Sequence, residues 1–121
     1  MTQTIQLAEL ASAPFKVQAA TLRELFGFTK SEFANILGVS DKTVGRWEKD
    51  GADSSPHTQN RQSIEALITI AESLGDLFEP DVIKVWVDRP NPSLGGERPR
   101  DYVKKPGGIF IIANLLGTVG R

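Results

Sequence analysis

The segment Ser40-Asp41-Lys42-Thr43-Val44-Gly45-Arg46-Trp47-Glu48-Lys49 gathers residue types suited to contact with a charged polymer. Wound as a helix, it turns Val44 and Trp47 inward and leaves Lys42, Thr43 and Arg46 on the opposite face. The Arg46 guanidinium can pair with both acceptors of a guanine edge, and the Thr43 methyl can touch a thymine methyl. Ser40 and the free backbone N–H groups behind it suit a phosphate oxygen, and Lys49 is placed for contact with the phosphate backbone. This is the chemistry of major-groove DNA contact. The same residues also fit a solvated face on an ordinary helical hairpin, and Asp41, Glu48, Asp50 and Asp53 crowd that end with negative charge.

The elements around this segment decide whether it can project. Phe15, Ala19, Leu22 and Phe26 fall at helical spacing, and Gly27 suits a left-handed stop. Thr29-Lys30-Ser31-Glu32 reads as a capping box opening a second helix with Phe33, Ile36 and Leu37 inward, ending at Gly38. Val39 is left for the turn, and Ser40 caps a third helix from about Asp41 to Lys49. Two helices joined this tightly cross steeply, Ala34 is small enough for close approach, and the third helix then presents its N-terminal residues to a groove. Arg23 on the first helix is expected to neutralise Glu48.

The joint pattern Phe33-Ala34-x-x-Leu37-Gly38-Val39-Ser40-x-x-Thr43-Val44-x-x-Trp47-Glu48 closely resembles the Xre (cI/Cro-like) helix–turn–helix family over Leu22 to Gly51. In that family the recognition helix commonly ends in Trp-Glu.

Further on, Gly51 to Ser55 reads as a polar connector, and Pro56 suits the first turn of a helix. Ile64, Leu67, Ile68, Ala71, Leu74, Leu77 and Phe78 follow the 3.6 period, with Gly75 as a bend or an early stop. Val82 to Val87 reads as a short helix containing Trp86, Asp88 to Pro99 as a loop, and Arg100 to Lys104 as a short helix before the break at Pro106-Gly107-Gly108. Ile109 to Leu116 reads as a final helix, with a strand as the alternative. The expected fold is all-α, a helix–turn–helix bundle continuing into a small helical C-terminal domain. It divides into a mobile arm or frayed helix at 1–12, the helix–turn–helix unit at 13–55 and the C-terminal domain at 56–121.

Within that domain, Pro90 and Pro92 stiffen the backbone around Asn91, Leu94 and Trp86 can pin the loop to the long helix, and Gly95-Gly96 lets the chain reverse. Such a loop serves as a recognition surface or as a plain connector. The residues resemble the toxin-binding domain of the Xre/MbcA/ParS antitoxin family: Trp, then Pro-Asn-x-x-Leu-Gly-Gly-x-x-Pro, then Pro-x-Gly before a terminal helix. The resemblance covers roughly Arg61 to Arg121. It implies an antitoxin of a type II toxin–antitoxin system that binds and inhibits a RES-domain toxin, an enzyme that consumes NAD, and represses its own operon. It also implies that Asn91, Leu94 and Arg98 meet the toxin.

The last helix departs from the family, where it usually carries several acidic residues. Here Ile109, Ile112, Ala113 and Leu116 can pack on Leu74, Leu77 and Trp86, which leaves Phe110, Ile111 and Leu115 outward. Each is worth about 1.5–3 kcal/mol if fully buried, so the three make an interface for the toxin or for self-association, or else meet another part of the chain. Arg121, at the end of a short tail, can enter a partner's anion-binding pocket or simply fray.

Composition limits the alternatives. With no cysteine and one histidine among 121 residues, disulfides, thiol catalysis and histidine-rich metal sites drop out, and His57 is expected to bind no metal. No phosphate-cradling glycine loop follows a strand and the carboxylates are scattered, so neither an enzyme nor a cofactor is expected. No secretory signal or membrane-length apolar run is present, and a cytoplasmic protein without membrane contact is expected. The net charge of −1 conceals −5 over Met1–Asp81 and +4 over Val82–Arg121. The basic third attracts either an acidic partner or its own acidic N-terminal part. The expected partners are operator DNA, a second copy of the chain and the toxin, in a hetero-oligomer. Two competing readings are a plain regulator whose C-terminal region only dimerises, and an antitoxin that has lost DNA binding.

Overall fold

The structure is a computed structural model that describes residues 7–50 and 58–118. Its helices are α1 (Phe15–Phe26), α2 (Lys30–Leu37), α3 (Asp41–Asp50), α4 (Thr58–Gly75), α5 (Pro80–Val87), α6 (Pro99–Tyr102) and α7 (Gly108–Thr118), with 3-10 turns at Leu7–Ser12 and Pro92–Leu94. Among the described residues there is no strand, only an isolated bridge between Asn91 and Glu97. The fold is all-α, and the segment from Ile109 to Leu116 is helical. The connector at 51–55, Pro56, His57 and Arg121 lie outside the described residues.

Local chemistry sets the boundaries of the first three helices. Thr29 Oγ1 accepts from the Glu32 N–H at 3.0 Å, and Glu32 Oε1 accepts from the Thr29 N–H at 3.0 Å, which completes the capping box. Gly38 takes φ +72°, a conformation costly for side-chain-bearing residues, and lets the Val39 N–H return to the Ala34 carbonyl at 2.9 Å. Asn60 is buried, and its amide donates to the Leu37 carbonyl at 2.9 Å. The start of α4 thereby satisfies the end of α2.

The core gathers around α4. Ile64, Ala66, Leu67, Ile68, Ile70, Ala71 and Leu74 are all buried, spread over more than one face of the helix. It packs on α7, on α1 and on the N-terminal 3-10 turn. That turn differs from a mobile arm: Leu10 is fully buried, and Gln18 Nε2 donates to the Leu10 and Ala11 carbonyls. Among the side chains described in this turn, Leu10 is the buried anchor, and it carries no periodic signal.

Because α4 stops at Gly75, Leu77 leaves the helical register and is 61% exposed, so it does not support α7. Ile109 and Ile112 are buried as expected, with Trp86, Ala113 and Leu116 partly buried against the core.

The junction of α6 and α7 leaves no room for a side chain at Gly108, where an added Cβ would lie 2.0 Å from the Tyr102 carbonyl oxygen. Helix propensity alone favours Gly108→Ala by about 1 kcal/mol. The backbone contact reverses the sign, and the variant is expected to lose about 2 kcal/mol in denaturant unfolding. A stabilised variant would show that α7 can move away freely.

Candidate functional site

The turn between α2 and α3 presents α3 as the sequence pattern requires. Ser40 Oγ accepts from the Thr43 N–H at 3.1 Å and lies 3.0 Å from Thr43 Oγ1, so its hydroxyl caps the helix. Val44 and Trp47 are buried, with Trp47 edge-on to Phe15 at 5.0 Å. Lys42, Arg46 and Lys49 are exposed and Thr43 is half-buried. The five candidate residues thus occupy one helix and its cap, with the basic side chains toward solvent.

The acidic residues nearby are partly occupied. Arg23 Nε meets Glu48 Oε2 at 2.6 Å and Nη2 reaches Oε1 at 3.4 Å, the expected ion pair between α1 and α3. A third donor of the same guanidinium, Nη1, reaches the Phe28 carbonyl at 3.3 Å. Asp41 accepts from the Ser31 hydroxyl of α2.

The second constellation divides into residues that build the loop and residues that present a surface. Asn91 Oδ1 accepts from the Ser93 N–H at 2.9 Å, while the Asn91 backbone bonds Glu97, Leu94 and Gly96. Its side chain organises the loop. Leu94 is buried at 5% exposure and pins the loop, the packing role expected of it, so little of it is exposed for the toxin contact that the resemblance implies. It forms the floor of an open pocket of about 120 Å³ that Trp86, Ile112, Leu115 and Leu116 also line. Arg98 is exposed but forked onto Asp101 at 2.8 and 3.2 Å, with Asp88 at 3.8 Å. Phe110, Ile111 and Leu115 do face outward, with 47, 46 and 37% exposure.

Arg100 is the residue that the spacing argument missed. Its Nη1 meets Glu32 Oε1 at 2.7 Å, its Nε meets Asp88 Oδ1 at 2.6 Å, and the guanidinium lies 5.6 Å from the centre of the Phe28 ring. Lys104 adds a bond to Glu32 Oε2 at 3.2 Å. Burial raises the Glu32 pKa, but the Thr29 N–H, Lys104 and Arg100 outweigh it and hold the carboxyl below its ordinary 4.5. Glu32 therefore caps α2 and receives two cations from the C-terminal third.

A helix–turn–helix joined to a helical domain with an outward apolar stripe is the architecture of a helix–turn–helix antitoxin. Residues 20–77 match the helix-turn-helix family model. Residues 73–119 match the antitoxin Xre/MbcA/ParS C-terminal toxin-binding domain. The mycobacterial cidal antitoxins MbcA of Mycobacterium tuberculosis and of Mycobacterium bovis are each 30% identical over 81 residues, 67% of this chain and 70% of theirs. A chain of the crystal structure of the M. tuberculosis MbcT–MbcA toxin–antitoxin complex superposes with a TM-score of 0.61 and 25% identity, over 84% of this chain and 89% of that one. The chain belongs to the Xre/MbcA/ParS antitoxin family. Its relatives are antitoxins rather than enzymes, which sets aside a regulator whose C-terminal region only dimerises. Among the described residues, no helix is long and apolar enough to cross a membrane.

The Arg100–Glu32 junction joins the regions that the two family models match. A carboxylate whose pKa is lowered on folding stabilises the fold above its unfolded value, and that contribution disappears as the pH falls through the folded value. Glu32→Gln is therefore expected to cost about 1 kcal/mol near pH 7. The gap to the parent should close as the pH drops below the ordinary value of 4.5. Urea unfolding at several pH values checks this, and a gap independent of pH would exclude a charge effect.

Proposed function

We propose that this antitoxin inhibits a RES-type, NAD-consuming toxin through its C-terminal domain and represses its own operon through α3. The observation that carries the toxin half is the outward stripe of Phe110, Ile111 and Leu115 on α7, inside the toxin-binding match. Asn91 and Leu94 hold the neighbouring loop in shape, Arg98 borders it, and Arg121 of the tail is the candidate for an anion pocket in the toxin. For the DNA half, Ser40, Lys42, Thr43, Arg46 and Lys49 read the operator, and a homodimer sets two recognition helices roughly 34 Å apart on a palindrome. Residues 13–55 form the DNA-reading unit and residues 56–121 the toxin-binding domain, with α4 shared between the two cores. The RES identity of the toxin rests on the family resemblance.

Co-expression with the open reading frame adjacent to the gene tests the toxin half. The full chain should restore growth and co-purify with the neighbour's product, while a chain ending at Asp81 should do neither. Loss of cellular NAD on expressing the neighbour alone marks the RES chemistry. The double variant Phe110→Asp, Ile111→Asp should lose rescue with its melting temperature little changed, since both side chains are about half exposed. Deleting residues 119–121 separates the tail from the stripe: full inhibition would remove Arg121 from the site. A neighbour that is harmless and does not bind would overturn the toxin half.

For the DNA half, Arg46→Ala and Lys42→Ala should each weaken operator binding about ten-fold, with a salt slope lower by about one where a phosphate contact is lost. Unchanged affinity and unchanged operon expression would leave the helix–turn–helix as an assembly element.

A further inference from the structure

A groove crosses from one matched region to the other. It lies between the C-terminal end of α2, the first turns of α4 and the junction of α6 with α7, and holds about 330 Å³ open to solvent. Leu37 and Ile109 are buried beneath it, Ile36 is half-buried, and Phe110 is exposed along one side. Asn35 of α2 and Gln62 of α4 border it, both exposed. Among the described residues, neither of these two side-chain amides makes a hydrogen bond. Lys104 and Lys105 also line the groove, but they are engaged by Glu32 and Glu97. Residues 35–38 and 62 belong to the helix–turn–helix match alone, while residues 103–110 belong to the toxin-binding match.

We propose that this groove extends the toxin site onto the helix–turn–helix unit, and that it takes an extended segment of the toxin with an apolar side chain set against Ile36 and Phe110. The inference rests on the reading of α7 as the toxin face and adds α2 and α4 to it. Continuity carries the choice of occupant. Phe110 is part of the α7 stripe and also lines the groove, so a protein that covers the stripe abuts the groove as well. The chemistry agrees. An amide side chain offers both a donor and an acceptor, the same pair that a peptide unit of an extended main chain presents. A phosphate backbone would instead need cations to meet it, and the two lysines here already hold carboxylates. Apolar surface between neutral amides therefore suits a peptide segment better than DNA. On this arrangement Asn35, Ile36 and Gln62 help to decide which toxin is accepted, although they lie outside the toxin-binding match.

The chain contains no cysteine, so Gln62→Cys or Asn35→Cys introduces a single thiol at the groove. Both positions are exposed, and both variants should keep the parent's melting temperature. The test uses the full chain and the product of the adjacent open reading frame. In the complex, each thiol should react with a maleimide about ten-fold more slowly than in the free antitoxin. A chain labelled beforehand with a bulky maleimide should bind the neighbour's product about ten-fold more weakly and still bind operator DNA as the parent does. The proposal is overturned if the thiols react equally fast in the free chain and in the complex, or if the labelled chains bind the neighbour's product undiminished. It is also overturned if the label weakens operator binding instead, which would turn the groove toward DNA. A neighbour that binds the parent, fails to bind the Phe110→Asp, Ile111→Asp variant and ignores both labels would remove the groove and leave the α7 reading standing. A neighbour that does not bind the parent at all would remove both.

Discussion

One helix has to serve two cores. Two units of about 60 residues each bury little surface on their own, and in this chain of 121 residues the helix–turn–helix and the C-terminal domain share one interior. α4 allows this by being apolar over more than one face: α1 and the Leu10 turn pack on it, and so does α7. The two family models meet at its C-terminal end, over residues 73–77, yet the packing it organises extends through both matched regions. Asn60 shows the same economy, since the first turn of α4 completes the hydrogen bonding of α2. The turn that presents α3 and the surface on α7 therefore stand on one foundation.

Charge reinforces that union. The acidic N-terminal part and the basic C-terminal third are complementary inside the molecule, where Arg100 and Lys104 converge on Glu32. Of the two readings that the charge asymmetry left open, internal docking is realised at this point. Arg98 and Lys105 are engaged locally by Asp101 and Glu97. Much of the positive charge that a count assigns to an external partner is thus already matched within the chain.

What could be read from the residues alone was whatever depended on neighbours in sequence or on a single periodic face. The Thr29–Glu32 box, the stops at Gly27 and Gly38, the inward Val44 and Trp47, and the outward Phe110, Ile111 and Leu115 are of this kind. The Arg23–Glu48 pair was also legible, because the helix–turn–helix geometry fixes which faces of α1 and α3 meet. Leu77 continues the periodic pattern in the sequence but not in space, because α4 ends at Gly75. Leu10 carries no periodic signal in an isolated turn. Arg100 finds its partner Glu32 68 residues away, and a lone arginine at the start of a short helix does not reveal that distance.

The negative charge around α3 weighs less against DNA contact than the composition suggests. Glu48 is only 19% exposed and shares its carboxylate with Arg23, so its charge is matched by a guanidinium on the protein side of the helix. Asp41 lies in the first turn of α3 and accepts from Ser31, where an acidic group also complements the positive end of the helix dipole. Lys42, Arg46 and Lys49 reach solvent on the side away from Val44 and Trp47. With a Debye length of about 8–10 Å, charges farther away on the chain are largely screened from these three cations.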